Sequence, residues 1–232
     1  MSRVGVVTGM RAEADSASAP AKTLPPDRQP LVFASGANAE RAYEGARGLV
    51  AKGARALLSF GLSGALDPAL SCGDIVLAET VILADGSRVA TDAAWRAALS
   101  GSRSGGGLIS GAIVGRDRVV ATPRAKAELR LRTGAVAVDM ESHAVAVAAQ
   151  ATGVPFMALR VVLDAADQAI PWSVLAGIGP DGRSRALPVA AHLLVRPWEI
   201  ADLLALARAN RRALATLGRL AAELGATFGF LV

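Results

Sequence analysis

The sequence VAVDMESHAVAVAAQATGVPFMALRVVLDAAD, residues 136–167, decides the fold. It predicts a short strand at Val136–Val138, an apolar helix from about Met140 to Ala151 and, after a glycine and a proline, a second strand at Phe156–Leu163. Nearly every residue of the second strand is apolar, which is typical of a strand that is covered on both faces in a mostly parallel sheet.

Two acidic residues lie at the edges of these elements. Glu141 falls in the first turn of the predicted helix, and Asp164 follows the second strand. In open α/β sheets, ligands bind at the carboxyl ends of strands and the amino ends of the helices that follow. Both carboxylates are therefore candidates for chemistry, although a helix-dipole role for Glu141 and a turn-capping role for Asp164 explain them equally simply.

Two motifs in this stretch carry a family resemblance. Val138-Asp139-Met140-Glu141-Ser142, followed by RVVLDAAD at residues 160–167, resembles the paired signature of the nucleoside phosphorylase / methylthioadenosine–S-adenosylhomocysteine nucleosidase family. The spelling is most similar to the hopanoid-associated phosphorylase branch, which is thought to remove adenine from adenosylhopane. The resemblance implies an α/β fold of three α/β/α layers around a central mixed, mostly parallel sheet. It also implies cleavage of the bond between a ribose and a purine.

This reaction needs a proton for the departing base, a nucleophile and a hold on the sugar, and carboxyl groups in different environments can supply all three. The resemblance assigns Asp164 to the protonation of the purine at N7. It assigns Glu141 to the 2′- and 3′-hydroxyls and Met140 to the face of the sugar. It matches Glu13, which follows Gly9-Met10, to the glutamate with which nucleosidases position water, whereas the residues alone are equally consistent with an exposed glutamate at a helix start.

A glycine-rich segment, Gly61-Leu62-Ser63-Gly64-Ala65, occupies the position of a family turn usually spelled Gly-Ser-x-Gly. Backbone amides there could hold phosphate or water, and we expect Ser63 and Gly64 to contact substrate. Leu62 replaces the usual serine, which weakens the case for a phosphate contact. A tight structural turn is the alternative.

The segment Val114-Gly115-Arg116-Asp117-Arg118-Val119 aligns with the part of the family that lines the base pocket. Arg118 stands where adenine-specific relatives carry an aromatic ring, and its planar guanidinium could stack on a base. Val119 could offer backbone hydrogen bonds to the base. Arg160 lies inside an apolar strand, so it needs a carboxylate partner. We place it among the substrate-binding residues and expect it to orient an acidic site residue or to lie at a subunit contact.

Other site chemistries have little support. The two histidines, His143 and His192, and the single Cys72 do not form the set of three or four ligands that a metal site needs. The spacing in Gly61–Gly64 does not match the Gly-x-Ser-x-Gly of serine hydrolases. We expect no metal and no cofactor, with inorganic phosphate as a conceivable co-substrate.

Composition limits the class of protein. The chain has 232 residues, of which 52% are hydrophobic and 19% charged, so it can bury a large core. No apolar run reaches the roughly 18 residues of a membrane span, and the amino terminus does not resemble a signal peptide. The net charge of +5 comes from scattered arginines and few aromatics accompany it, which does not favour nucleic-acid binding. We expect a cytoplasmic protein.

The rest of the chain predicts alternating strands and helices, without an internal repeat or a domain boundary, so we expect one domain over residues 1–232. A surface loop with a frayed helix at its start is expected over residues 15–30, which contain four prolines. Strands are expected at Arg3–Thr8, Leu31–Ser35, Ala54–Phe60, Asp74–Leu83 and Leu108–Val114, and helices at Asn38–Lys52, Asp92–Leu99, Pro123–Arg132 and about Trp198–Leu224.

The resemblance leaves the substrate open among three possibilities. Adenosylhopane is the first, methylthioadenosine or S-adenosylhomocysteine the second, and phosphorolysis of a purine nucleoside the third. A long loop at residues 169–195 carries Ile170, Trp172, Leu175 and Ile178, and we hypothesise that it contacts the surface of the inner membrane to admit a lipid-linked nucleoside. A homo-oligomer is implied by the resemblance alone. A binding module without turnover is the alternative from another class, favoured by Leu62 and Arg118.

Overall fold

A computed structural model describes residues 3–102, 107–171 and 199–230. Its strands are β1 (Arg3–Thr8), β2 (Leu31–Ala34), β3 (Ala54–Ala65), β4 (Ile75–Ile82), β5 (Arg88–Ala90), β6 (Leu108–Gly115), β7 (Ala137–Asp139) and β8 (Phe156–Asp164). Its helices are α1 (Arg11–Ser18), α2 (Ala39–Ala51), α3 (Ala93–Ser102), α4 (Pro123–Thr133), α5 (Ser142–Thr152) and α6 (Ile200–Leu224).

All eight strands belong to one mixed sheet. β3 pairs with β8, β8 with β4, β4 with β6, β6 with β7, and β7 returns to β3, so five strands close a ring. β1 and β2 extend the sheet from β3 in parallel, and β5 is the second arm of a hairpin with β4. The β3–β7, β4–β5 and β4–β8 pairs are antiparallel and the others are parallel, as predicted for a mixed, mostly parallel sheet.

Helices cover the two faces of the sheet and make the three predicted layers. On one face α2 and α5 bury small side chains such as Ala46 and Ala149 against the strands. On the other face α1, α3 and α6 contribute larger ones, including Trp95 and Leu217. The indole of Trp95 donates a hydrogen bond of 2.8 Å to the carbonyl of Phe228, which joins α3 to the end of the chain after α6. Burial of these apolar faces is the main stabilising contribution to the fold.

The predicted elements agree with the observed ones to within a few residues, with two exceptions, one strand that was missed and one segment that was predicted as a turn. In residues 15–30, predicted as a surface loop with a frayed helix at its start, α1 continues to Ser18 and two short 3-10 turns follow at 19–21 and 26–28. The helix forms there because Ala17 is buried in the core against the face of the sheet that α6 also covers. The three-residue strand β5 was not predicted, although Asp85 and Gly86 mark the hairpin turn that precedes it.

The second exception is the glycine-rich segment at residues 61–65, which is part of a strand and is not a turn. β3 runs through it to Ala65 because the segment pairs with β8 on one side, Gly61 opposite Arg160, and with β7 on the other, Gly64 opposite Val138. The glycines therefore serve close packing between strands. A register shift in the β3–β8 pair occurs between Ser63 and Gly64.

Several expectations lie outside the described residues. These are the contribution of Trp172, Leu175 and Ile178 to an apolar loop, the start of the last helix at Trp198, and the role of His192. Within the described ranges, no helix has both the length and the hydropathy to cross a membrane.

Two glycines of α2 differ in what their missing side chains would contact. A Cβ on Gly45 would lie 2.2 Å from the ring of Phe33 in β2, whereas a Cβ on Gly48 would have no heavy atom within 4 Å. We expect Gly45→Ala to lower the free energy of unfolding by about 1–3 kcal/mol, because the phenyl ring must move. We expect Gly48→Ala to raise it by about 0.5–1 kcal/mol through helix propensity. Urea unfolding of both variants measures the difference, and equal stabilities would contradict the packing of α2 on β2.

Candidate active site

A cavity of about 410 Å³ lies where the carboxyl ends of β1, β3, β7 and β8 approach the amino-terminal half of α6. Its wall combines four carboxyl groups with many apolar side chains. The lining residues are Gly9, Met10, Glu13, Ala37, Leu62, Ser63, Gly64, Arg118, Val119, Val120, Val138, Asp139, Met140, Glu141, Leu163, Asp164, Ile170, Leu203, Leu206, Ala207 and Asn210. Acidic groups and apolar surface in one concave site are typical of a small-molecule site.

The structure places Glu13 in the first turn of α1 with only 4% of its surface exposed, which rules out the exposed helix-start alternative. One carboxylate oxygen accepts hydrogen bonds of 2.8 Å from the amides of Gly9 and Met10. The other accepts one of 2.9 Å from the amide of Leu62 in β3. Burial raises the pKa of Glu13, while Arg160 and these three amides act in the opposite direction. The carboxyl group is thus fixed in place by backbone amides from two elements.

Arg160 lies in the middle of β8, fully buried, and does not itself line the cavity. Its Nε forms an ion pair of 2.5 Å with Oδ2 of Asp139, and its Nη2 lies 3.5 Å from Oε2 of Glu141. Nη2 also donates to the hydroxyls of Ser59 and Ser142, at 2.5 and 3.1 Å. As predicted, this arginine is paired with acidic groups, and it lies behind the carboxylates that face the cavity.

Glu141 and Met140 occupy the connection between β7 and α5. The expectation that Glu141 belongs to the first helical turn is wrong by one position, because its carbonyl accepts the hydrogen bond from Val145 that starts α5. Asp139 caps the helix by accepting a hydrogen bond of 3.1 Å from the amide of Ser142. Desolvation raises the pKa of Glu141 to about 8, opposed by Arg160 and assisted by the nearby Asp139 and Glu13. The Glu141 carboxyl is therefore mostly protonated at neutral pH.

The carboxyl groups of Glu13 and Glu141 are close neighbours. A Cβ built on Gly9 would lie 2.6 Å from Oε1 of Glu141 and 3.3 Å from Oε2 of Glu13. Any side chain at position 9 would therefore displace one of the two acids. The absence of a Cβ at Gly9 is a condition for bringing both carboxyl groups to one wall of the cavity.

Asp164 is the last residue of β8 and is 2% exposed. Its Oδ2 accepts a hydrogen bond of 2.5 Å from Nζ of Lys126, a fully buried lysine of α4. The same ammonium group donates to the carbonyls of Ala165 and Gln168. Burial raises the pKa of Asp164, and Lys126 opposes that rise. Asp164 thus has a permanent cationic partner on one side and still borders the cavity on the other.

The structure brings the other predicted site residues to the same cavity. Ser63 is 5% exposed, and its hydroxyl has no hydrogen-bond partner among the described residues. A Cβ on Gly64 would lie 3.0 Å from Oδ2 of Asp164, so this glycine makes room for the acid. Arg118 is exposed at the rim, and the half-buried Val119 follows it.

Sequence reasoning missed two groups of site residues. Lys126 was treated as part of an ordinary amphipathic helix, although it is one of only three lysines in the chain and lies three residues before the buried Leu129. Leu203, Leu206, Ala207 and Asn210 of α6 also line the cavity. No local signal marks them, because the contact between the end of the chain and the sheet edge depends on the tertiary structure.

In chemical terms, the cavity offers acids with three different environments. Glu13 is held by amides, Glu141 shares an arginine with Asp139, and Asp164 is paired with a lysine. Pairs of carboxyl groups whose surroundings separate their pKa values can divide acid and base roles between them.

Comparison with solved structures finds the same architecture in several nucleosidases. The 5′-methylthioadenosine/S-adenosylhomocysteine nucleosidase of Neisseria meningitidis, in complex with methylthio-immucillin-A, superposes with a TM-score of 0.71 at 20% identity, over 97% of this chain and 98% of the other. The futalosine hydrolase of Helicobacter pylori gives a TM-score of 0.68 at 18% identity, over 93% and 95%. The S-adenosylhomocysteine nucleosidase of Streptococcus pyogenes gives 0.68 at 18%, over 97% and 98%. At these identities the likeness concerns the fold.

None of the curated protein sequences matches the chain significantly. A family model does match, namely that of the Phosphorylase superfamily, over residues 27–176. This range contains β3, β7 and β8 and both acidic motifs at 139–141 and 164, and it spans more than half of the chain. The chain therefore belongs to the Phosphorylase superfamily.

Proposed function

We propose that the protein hydrolyses the N-glycosidic bond of a 5′-substituted adenosine and releases adenine. The observation that carries the proposal is the convergence on one cavity of Glu13 from α1, Glu141 from the β7–α5 connection and Asp164 from the end of β8. Among the solved relatives described above, two are by name nucleosidases of 5′-methylthioadenosine or S-adenosylhomocysteine, and one is a futalosine hydrolase.

Asp164 is the proposed general acid. Its pKa is raised by burial, as a group that must carry a proton near neutral pH requires. Lys126 donates a hydrogen bond to Oδ2 of Asp164, so Oδ1 remains available for N7 of the purine. Protonation of N7 turns the base into a neutral leaving group as the bond to the ribose breaks.

Glu141 and Met140 are the proposed ribose contacts. A protonated Glu141 can both donate to and accept from the two hydroxyls of a vicinal diol. When the hydroxyls donate to its oxygens, the charged form of the carboxyl is favoured and its pKa falls below about 8. The resulting negative charge lies beside a ribose that becomes positive in the transition state.

Water is the proposed nucleophile, with Glu13 as the group that orients it. Amides that could have bound a phosphate, those of Gly9, Met10 and Leu62, already donate to Glu13. Among the described lining residues there are four carboxyl groups and one exposed cation, Arg118. Apart from Arg118, the described part of this wall offers no cation to balance the charge of a phosphate dianion, whereas neutral water needs none.

The finer proposal concerns the 5′ substituent, for which we propose an apolar group, as in adenosylhopane. The cavity wall beyond the acids is apolar, formed by Val120, Leu163, Ile170, Leu203, Leu206 and Ala207. Burial of hydrocarbon against such a wall contributes about 0.8 kcal/mol per methylene group. A charged 5′ group such as that of S-adenosylhomocysteine gains nothing there.

The first prediction concerns turnover. We expect adenine release from 5′-methylthioadenosine without phosphate, measured by chromatography, and a fall in kcat of about 100-fold or more in Asp164→Asn, the usual range for loss of a general acid. Asp167→Asn, an exposed aspartate three residues later, is the control and should keep wild-type activity. Release only in the presence of phosphate would indicate a phosphorylase, and no release from any adenosyl compound would favour a binding module.

The second prediction concerns the proton on Glu141. Since its pKa is 4.5 in the unfolded chain and about 8 in the folded protein, the stabilising contribution of this proton is complete below pH 4.5 and is lost as the pH rises through 8. The Tm of the wild type should therefore fall more steeply between pH 5 and 8.5 than that of Glu141→Gln. The exposed Glu44→Gln serves as control, and parallel Tm curves for wild type and Glu141→Gln would contradict the assignment.

The third prediction concerns the apolar wall. In a series of 5′-alkylthio-adenosines, KM should fall as the alkyl chain lengthens, by about fourfold for each methylene group packed against the wall. Leu203→Asn should abolish this gain while kcat for methylthioadenosine changes little. The adjacent Leu204→Asn is exposed outside the cavity and should keep the trend. A KM independent of chain length in the wild type would rule out an apolar 5′ group.

A further inference from the structure

Lys126 is a fully buried lysine in the second turn of α4, and every donor of its ammonium group has an acceptor. Nζ lies 2.5 Å from Oδ2 of Asp164, 2.6 Å from the carbonyl oxygen of Ala165 and 2.8 Å from that of Gln168. The three acceptors all come from the end of β8 and the turn that follows it. One side chain of α4 thus holds both the carboxyl group and its supporting backbone.

A buried lysine is costly unless it is paired, and a purely structural need could be met by an apolar residue of similar volume. The neighbouring buried residue of α4 on this side, Leu129, packs in an apolar cluster with Leu66 and Val114. Position 126 is also buried, but it carries a charged residue instead of an apolar one, and it contacts Asp164 in the cavity wall. This departure points to a role in the site.

We propose that Lys126 is a positioning residue for the general acid: its ammonium group fixes one oxygen of Asp164 and the 165–168 turn, so that the second oxygen is presented to the leaving base. The inference rests on the proposed function, in which Asp164 protonates the purine. Misplacement of a catalytic group by about 1 Å costs on the order of 100-fold in rate, so fixation of this kind has kinetic consequences.

The same contact affects the protonation of Asp164. Burial raises the pKa of Asp164 and the charge of Lys126 lowers it, so loss of that charge should raise it further. The other titratable or charged groups around Asp164 are the Cys72 thiol before β4, the carboxyl groups of Glu13, Asp139 and Glu141 across the cavity, and Arg118 at the rim. Lys126 is the one cation in direct contact with Asp164 among the described residues.

The test compares uncharged and charged replacements. In Lys126→Met and Lys126→Gln we expect kcat to fall about tenfold or more with a smaller change in KM. The alkaline limb of the kcat profile should move to higher pH, because Asp164 keeps its proton longer. Lys126→Arg retains the charge and should leave that limb at its wild-type position, with partial recovery of kcat.

The control is Arg124→Met in the same helix, whose side chain is 90% exposed and pairs only with Glu128. It should leave both kcat and the pH profile unchanged. If Lys126→Met fails to fold, Lys126→Gln, which keeps two N–H donors, provides the uncharged variant. An unshifted alkaline limb together with wild-type kcat in either uncharged variant would overturn the proposal.

A readout without turnover separates this proposal from the function on which it rests. The carboxyl carbon of Asp164 can be followed by NMR in protein labelled with ¹³C-aspartate and assigned with Asp164→Asn. We expect its titration midpoint to rise in the uncharged variants and not in Lys126→Arg. No adenine release by the wild type would remove the proposed function, whereas an unchanged midpoint would remove the proposed effect of Lys126 on Asp164, whatever the activity.

Discussion

The site depends on the burial of one guanidinium group inside an apolar strand. Without Arg160, the carboxyl groups of Asp139 and Glu141 would lose their common cation, and ionised carboxyl groups so close together in a poorly solvated cavity repel one another. The charge of Arg160 also opposes the rise that burial causes in the pKa of Glu13. The hydroxyls of Ser59 and Ser142 fix the guanidinium from two further elements. Burying the Arg160 guanidinium without partners would cost free energy, but here it pairs with a cluster of acids.

Space is the second constraint, and a glycine just after β1 and a glycine within β3 provide it. A Cβ on Gly61 would lie 2.6 Å from Nη1 of Arg160 and 2.9 Å from the carboxyl carbon of Glu13, and the corresponding atom on Gly9 would meet Glu141. The closed ring of strands around β3 and β8 leaves little freedom for the backbone to move away. The acids can therefore pack this closely only because the neighbouring positions are glycines. A side chain at either position would displace an acid or the arginine.

Most helices and strands and the acidic site residues could be predicted from the sequence. The prediction failed where contacts between distant segments determine the local structure or the role of a residue. The apolar run of β8 and the helical period of α2 are local signals, and both elements were found within one or two residues. The segment at 61–65 looks like a turn because glycine favours turns, yet pairing with β7 and β8 keeps it in a strand. Lys126 has no local mark that distinguishes it from a solvated lysine, because its partner lies 38 residues away in Asp164.

The placement of the two buried cations also determines which reactants the cavity favours. Arg160 and Lys126 both lie behind carboxyl groups, and each has its charge engaged by an acid. The described side chains that face the cavity are therefore mainly carboxyl groups and hydrocarbon, with the hydroxyl of Ser63, the amide of Asn210 and, at the rim, Arg118. Such a wall stabilises positive charge that develops on a sugar and disfavours a free anion. If the proposed activity is correct, the preference for water over phosphate depends on the position of the two buried cations as well as on the acids themselves.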